Sequence, residues 1–194
     1  MRYVGEDDIP LLVDAATFKS AVHIGSDDLA DDGHLSLFLQ AAQDVVTTAT
    51  GIPPAPGSYE FDVAFSGGRW RRFWFPARPV TEIEAVEVTD ATGAWVAQDA
   101  AEVRLVDGYG EPQALLPEGW AGATAQADRL RITATAGTDK PPAQMSQAII
   151  LLAKEWLEAG IAVEDQFQAA QLSFGVQRLI RQIRYRRPHV MACD

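Results

Sequence analysis

Leu35-Ser36-Leu37-Phe38-Leu39-Gln40-Ala41-Ala42-Gln43-Asp44-Val45-Val46-Thr47-Thr48-Ala49-Thr50-Gly51-Ile52-Pro53-Pro54-Ala55-Pro56-Gly57-Ser58-Tyr59-Glu60-Phe61-Asp62-Val63-Ala64-Phe65 decides the fold, because the chain changes its period inside it. Leu35, Phe38, Leu39, Ala42, Val45, Val46 and Ala49 recur at three- and four-residue spacing, one face of a helix. Gly51 and the prolines behind it cannot continue that helix. Past them Tyr59, Phe61, Val63 and Phe65 alternate with polar or small residues, the pattern of a half-buried strand. A helical layer gives way to a sheet across one short linker.

Working outward, Asp14 can cap a short helix through Val22 that closes near Gly25. Asp28, Asp31 and Asp32 stand at the start of the second helix, where exposed N–H groups favour negative charge. On the other side, Trp70–Phe75 reads as a strand stopped by Pro76. In Thr81–Thr89 the alternation slips, which predicts a bulge. Asp90-Ala91-Thr92-Gly93 turns the chain into Trp95-Val96-Ala97. Val103 and Leu105 suit another strand, residues 107–127 read as a loop, and Leu130, Ile132 and Ala134 alternate in the last strand.

Helical periodicity returns after Pro141-Pro142, over residues 143–158. That helix is apolar nearly all round, so it is either central to its own core or shares a second face with another chain. For the second case the expected interface residues are Ile149, Ile150, Leu151, Leu152 and Trp156. Val176, Leu179, Ile180 and Ile183 mark a last helix before Pro188. The order predicts an α+β fold: a bundle of about four helices interrupted by a small antiparallel β-sheet insertion. Its parts are residues 1–57 (first helices), 58–137 (insertion), 138–174 (central helix and link) and 175–194 (basic helix and tail).

With 194 residues, 47% of them hydrophobic and 22% charged, the chain is a folded domain and not a disordered one. Its net charge is -11, but unevenly placed. Residues 175–194 hold Arg178, Arg181, Arg184, Arg186 and Arg187 against Asp194 alone, so the remainder is strongly acidic. Such a body should not coat nucleic acid or anionic lipid. Five arginines exceed what a helix dipole asks for and suggest that the tail meets a partner. Cys193 is the only cysteine, so no disulfide forms within the chain. No apolar run reaches the ~18 residues of a membrane span, and the first residues lack the order of a signal peptide. A soluble protein of a reducing compartment is expected.

Chemistry is hard to find. A calcium loop counted from Asp28 would put Ala30 and Leu39 where oxygen ligands belong. His23, His34 and His189 lack metal-ligand spacing, and Cys193 sits near the end of the chain. Gly108-Tyr109-Gly110 is followed by an acid and a proline, where an anion would need donors. No catalytic residue, cofactor or metal ligand is expected, and the chain reads as something other than an enzyme. The interleaved arginines and aromatics of Trp70–Phe75 could stack on nucleic acid, but cross-strand packing is the stronger reading.

Several pieces together resemble head–tail connector (adaptor) proteins of tailed phages and phage-derived gene transfer agents. They are Leu12-Val13-Asp14-Ala15-Ala16 with Phe18-Lys19, the acidic turn, Ala41-Ala42-Gln43-Asp44 through Thr50-Gly51, and Arg78-Pro79-Val80-Thr81-Glu82-Ile83-Glu84-Ala85-Val86. Leu130–Thr133, Ala136-Gly137, Pro141-Pro142, Gln147-Ala148-Ile149 and the Arg-rich end complete the series. The resemblance implies a structural subunit beneath the portal, assembled as a ring that is commonly twelve-fold, with stopper or tail proteins below. DNA would pass through without specific binding, and no membrane is involved. Arg178, Leu179, Ile180, Arg181, Ile183, Arg184, Tyr185, Arg186 and Arg187 are then the expected portal-docking residues. Removing residues 175–194 should abolish docking and leave the rest folded. The expected location is the host bacterial cytoplasm during assembly and then the particle neck, phage or gene transfer agent. A DNA-binding accessory protein, or a small enzyme, are the alternatives.

Overall fold

The computed structural model describes residues 1–5, 8–24, 32–64, 72–108, 111–117, 129–159 and 172–185. Its elements run β1 (Arg2–Tyr3), α1 (Ala15–Ala21), α2 (Asp32–Thr50), β2 (Gly57–Ala64), β3 (Arg72–Trp74), β4 (Val80–Thr89) and β5 (Trp95–Gln98). After a 3-10 turn at Ala100–Glu102 come β6 (Arg104–Gly108), β7 (Glu111–Leu115), β8 (Arg129–Ala136), α3 (Ala143–Ala159) and α4 (Phe174–Ile183). The fold is α+β, with four described helices and two antiparallel sheets. The chain forms two compact units: a sheet unit of Met1–Ile9, Ala55–Asp139 and Tyr185–Asp194, and a helical unit of Pro10–Pro54 and Lys140–Arg184.

In the helical unit, Asp14 caps α1 by accepting from Thr17 N (2.7 Å); the Thr17 hydroxyl first and this N–H second hold its carboxyl below the usual carboxylate range. The helix stops at His23, whose φ of 56° is left-handed, and Ile24 N closes on Lys19 O (3.1 Å). Gly25, the expected stop, lies outside the described residues, as do Asp28 and Asp31. Leu35, Leu39, Ala42 and Val46 of α2 are buried with Met145, Ala148, Ile149 and Leu152 of α3 and Val176, Ile180 and Ile183 of α4. Gln43 shares the buried stripe of α2. Its Oε1 accepts from Leu12 N (2.8 Å) and its Nε2 donates to Pro10 O (3.2 Å). One glutamine thus fixes the segment leading into α1.

The sheet unit stacks its strands in the orders β1-β2-β8-β4-β5 and β3-β7-β6. The opening Arg2–Tyr3 pairs with β2, although the sequence places residues 1–57 with the helices. Two residues cannot show a period, so only the pairing reveals them. β8 is central, with Leu130, Ile132, Ala134 and Ala136 fully buried on one face, as their alternation predicts. The slip in β4 is real: its register to β8 shifts between Val80 and Glu82 and between Ile83 and Ala85. At the next turn Asp90 Oδ1 accepts from Thr92 N (2.8 Å) and Ala94 N (3.0 Å), and Gly93 takes φ 83°. Those bonds hold the Asp90 carboxyl below its ordinary range, with the Thr92 hydroxyl contributing most.

The expected 107–127 loop is wrong in its first part. Glu111–Leu115 is a strand, and the central one of its sheet. Pro112 is tolerated there because it lies opposite the end of β3, where its carbonyl accepts from Phe75 N (3.1 Å). Phe61 of the larger sheet meets Phe75 edge-to-face at 5.2 Å, and Phe75 meets Phe73 at 5.0 Å. Such contacts each add ~0.5–1.5 kcal/mol beyond burial. Phe73 and Phe75 are therefore core residues, which decides the Trp70–Phe75 segment for packing as far as it is described; Trp70 and Arg71 lie outside.

Two outcomes test these contacts. Gln43→Leu leaves Leu12 N and Pro10 O without partners and should lower stability by ~1–3 kcal/mol, read as a lower urea midpoint. Tyr59 donates to Ala55 O (2.8 Å) and burial pushes its phenol up to about 12. Its folded value exceeds the unfolded value of ~10, so its contribution is intact below that pH and is lost as pH rises toward 12. Unfolding midpoints measured at about pH 9 and pH 11 should differ less in Tyr59→Phe than in the parent.

Candidate docking surface

The last helix begins where Ser173 accepts from Val176 N (3.3 Å), a cap missed in the sequence although Ser before a helical run is the usual signal. Its buried stripe is Val176, Ile180 and Ile183, with Leu179 half-buried beside it. Gln177, Arg181 and Arg184 follow the same i, i+4, i+7 spacing one position along, so they form the adjoining stripe. Arg178, Arg181 and Arg184 are exposed. None has a carboxylate partner among the described residues. Phe174 is 74% exposed at the start of the helix.

Three arginines of the sheet unit behave differently, whereas Arg72, Arg78 and Arg104 there are exposed without a carboxylate partner among the described residues. Arg129 pairs with Asp62, and Arg131 bridges Glu60 (3.5 Å) and Glu87 (3.3 Å). Arg131 also lies 3.9 Å over the Trp95 ring, and Arg2 pairs with Glu60 (2.8 Å). These cations are neutralised within the chain. The α4 cations are not, although acids outnumber bases 27 to 16.

The structure divides the expected docking residues. Arg178, Arg181 and Arg184 are on the surface, and Leu179 is part-exposed. Ile180 and Ile183 are 6% and 8% exposed and belong to the chain's own core, because α4 packs on α2 and α3. Removing residues 175–194 would therefore strip this core, contrary to the expectation that the rest stays folded. Tyr185 belongs to the sheet unit, where the Arg78 guanidinium sits 5.5 Å from its ring. Arg186 and Arg187 lie outside the described residues.

The expected subunit interface divides in the same way. Ile149 and Leu152 are each 1% exposed and face the helical core. Ile150 and Trp156 are half-buried, and Leu151 is 39% exposed. The outer stripe of α3 is otherwise Ala143, Gln147, Lys154 and Glu158, the last two paired at 3.6 Å. Burial by both neighbouring helices explains why a nearly all-apolar helix leaves so little apolar surface. Among the described residues no three His, Cys, Asp or Glu side chains converge as a metal site, and no helix is long and apolar enough to cross a membrane.

The division has a measurable consequence. Arg178→Glu, Arg181→Glu and Arg184→Glu together should move stability by only ~0.5 kcal/mol per site or less, whereas Ile180→Ala should cost ~2–4 kcal/mol. Thermal and urea unfolding of the two variants read the contrast.

No family model matches the sequence, and no curated protein matches it either. Solved structures do. One is a chain from the neck of an empty GTA particle computed with C6 symmetry, with a TM-score of 0.66, 24% identity, and coverage of 99% of this chain and 98% of that one. A second, from the virion of a native gene transfer agent (GTA) particle, has a TM-score of 0.62 and 26% identity at the same coverage. A third, from the neck of a native GTA particle computed with C12 symmetry, has a TM-score of 0.60 and 26% identity, again over 99% and 98% of the two chains. Over essentially its full length, this chain has the fold of a protein built into gene transfer agent necks.

Proposed function

We propose that the protein is a head–tail connector subunit: it docks beneath the portal of a phage or gene transfer agent capsid, closes a ring with its own copies, and carries the stopper or tail. The observation that carries this reading is the end-to-end likeness to particle chains, one in a neck computed with C12 symmetry and one in a neck computed with C6 symmetry; a twelve-fold ring is compatible with both. A ring of one chain needs a head-to-tail interface. Ile150, Leu151 and Trp156 of α3 supply apolar surface for it, and Ile149 and Leu152 support them from behind. Arg178, Arg181 and Arg184, with Leu179, dock on acidic or carbonyl groups of the portal. The chemistry is that of assembly, with no bond made or broken.

The strongly acidic remainder of the chain suits a passage for DNA, since phosphate contacts would create affinity and friction. Assembly in the host cytoplasm followed by incorporation in the particle neck completes the reading. Purified portal mixed with this chain and imaged should show an added ring. The Arg178→Glu, Arg181→Glu, Arg184→Glu variant, still folded, should bind the portal about a hundredfold more weakly. Unchanged binding, or a salt-sensitive shift of duplex DNA in place of any ring, contradicts the proposal.

A further inference from the structure

We infer that a cavity beside α4 is the socket for one anchoring side chain of the docking partner: an apolar residue with a carboxylate next to it, in an acidic segment of that protein. The inference deepens the docking reading above and rests on it. The cavity is a solvent-open groove of about 340 Å³ wholly within the helical unit, lined by Ala49 of α2, by Leu172, by Gln177, Ile180 and Arg181 of α4, and by Arg184 at the C-cap of that helix. That volume is at the small end of the ~300–1,000 Å³ of ligand sites, enough for a side chain or two.

Helical geometry explains why floor and rim differ. Ile180 stands on the stripe that enters the core, and it joins Ala49 and Leu172 as an apolar floor. Gln177, Arg181 and Arg184 stand on the adjoining stripe and form a polar, twice-cationic rim. Gln177 Nε2 donates to Leu172 O (2.6 Å), which holds one wall in place before anything binds. Arg181 and Arg184 have no carboxylate partner among the described residues, so each guanidinium retains its fork for an incoming acid. Charge complementarity therefore selects an acidic occupant. The apolar floor selects a peptide over a nucleic-acid backbone, which has sugar and phosphate to offer but no aliphatic group to bury.

The probe is N-acetyl-leucine, an isobutyl group beside a free carboxylate, titrated into the full-length, isotope-labelled protein and followed by NMR. Its controls are N-acetyl-leucinamide and acetate, each lacking one half of the anchor. N-acetyl-leucine should shift the Ala49 methyl and the Arg181 and Arg184 side-chain signals saturably, about tenfold more tightly than either control. Ala49→Phe, which fills the floor, and Arg181→Glu with Arg184→Glu, which invert the rim without touching the core, should each abolish the response. Equal binding of the amide, no shift at these residues, or a stronger response there to a single-stranded oligonucleotide overturns the socket. The portal separates the two readings. A folded Ala49→Phe variant that binds it at parental affinity overturns the socket and leaves docking standing. A parent protein that takes up N-acetyl-leucine yet forms no ring on the portal keeps the socket and contradicts docking.

Discussion

A β insertion can interrupt a helical bundle only if its two ends come back together, and here that closure rests on a few backbone contacts around Ala55 and Gly137. Gly57, the first residue of β2, is paired with Ala136, the last of β8. Gly137 has φ 99°, and a Cβ there would overlap the carbonyl of Ala55, so a side chain is excluded by both torsion and space. Gly137 N donates to Pro79 O (3.0 Å), and the same Ala55 carbonyl receives the Tyr59 hydroxyl. Everything from β2 to β8 hangs between these paired ends. The insertion can thus carry two sheets of its own, while the helical residues on either side of it in the sequence still share one core.

Elements with an internal period are legible in the sequence because burial repeats along them. The face of α2, the alternation of β8 and the parity slip of β4 need no distant information. β7 is illegible for the opposite reason. Glu111, Pro112, Gln113 and Ala114 are all buried, because β3 and β6 flank the strand, yet the letters read as a polar loop with a proline. Gln43 is an intermediate case. Its place beside Leu39, Ala42 and Val46 on the buried stripe was a signal, but its partners, thirty residues upstream, could not be read from spacing. For the surface, the sequence identifies the arginines and the apolar helix, but it does not say which apolar residues the chain's own core keeps. Three-dimensional packing claims Ile149, Leu152, Ile180 and Ile183, and leaves Leu151 and the α4 arginines outside.

That distribution gives the charge asymmetry a physical meaning. On the sheet unit, Arg2, Arg129 and Arg131 are set among carboxylates, the last also against an indole ring, and they reinforce the strands that carry them. On α4 the cations stand beside the core with no acid of the described chain opposite them. An exposed arginine pair adds little to stability, so a helix whose one flank is packed and whose next flank is cationic separates folding from recognition residue by residue. In the connector reading, substitutions on the second flank alter assembly without altering the fold.

In the connector reading, α4 presents its arginine flank to the portal in an assembled neck. Cryo-electron microscopy of particles carrying this chain tests it most directly. The expected result is density for α4 against the portal, with Arg181 and Arg184 facing carboxylates of that protein. A neck in which this chain is present but the arginine flank of α4 faces solvent, or faces the DNA, would contradict it.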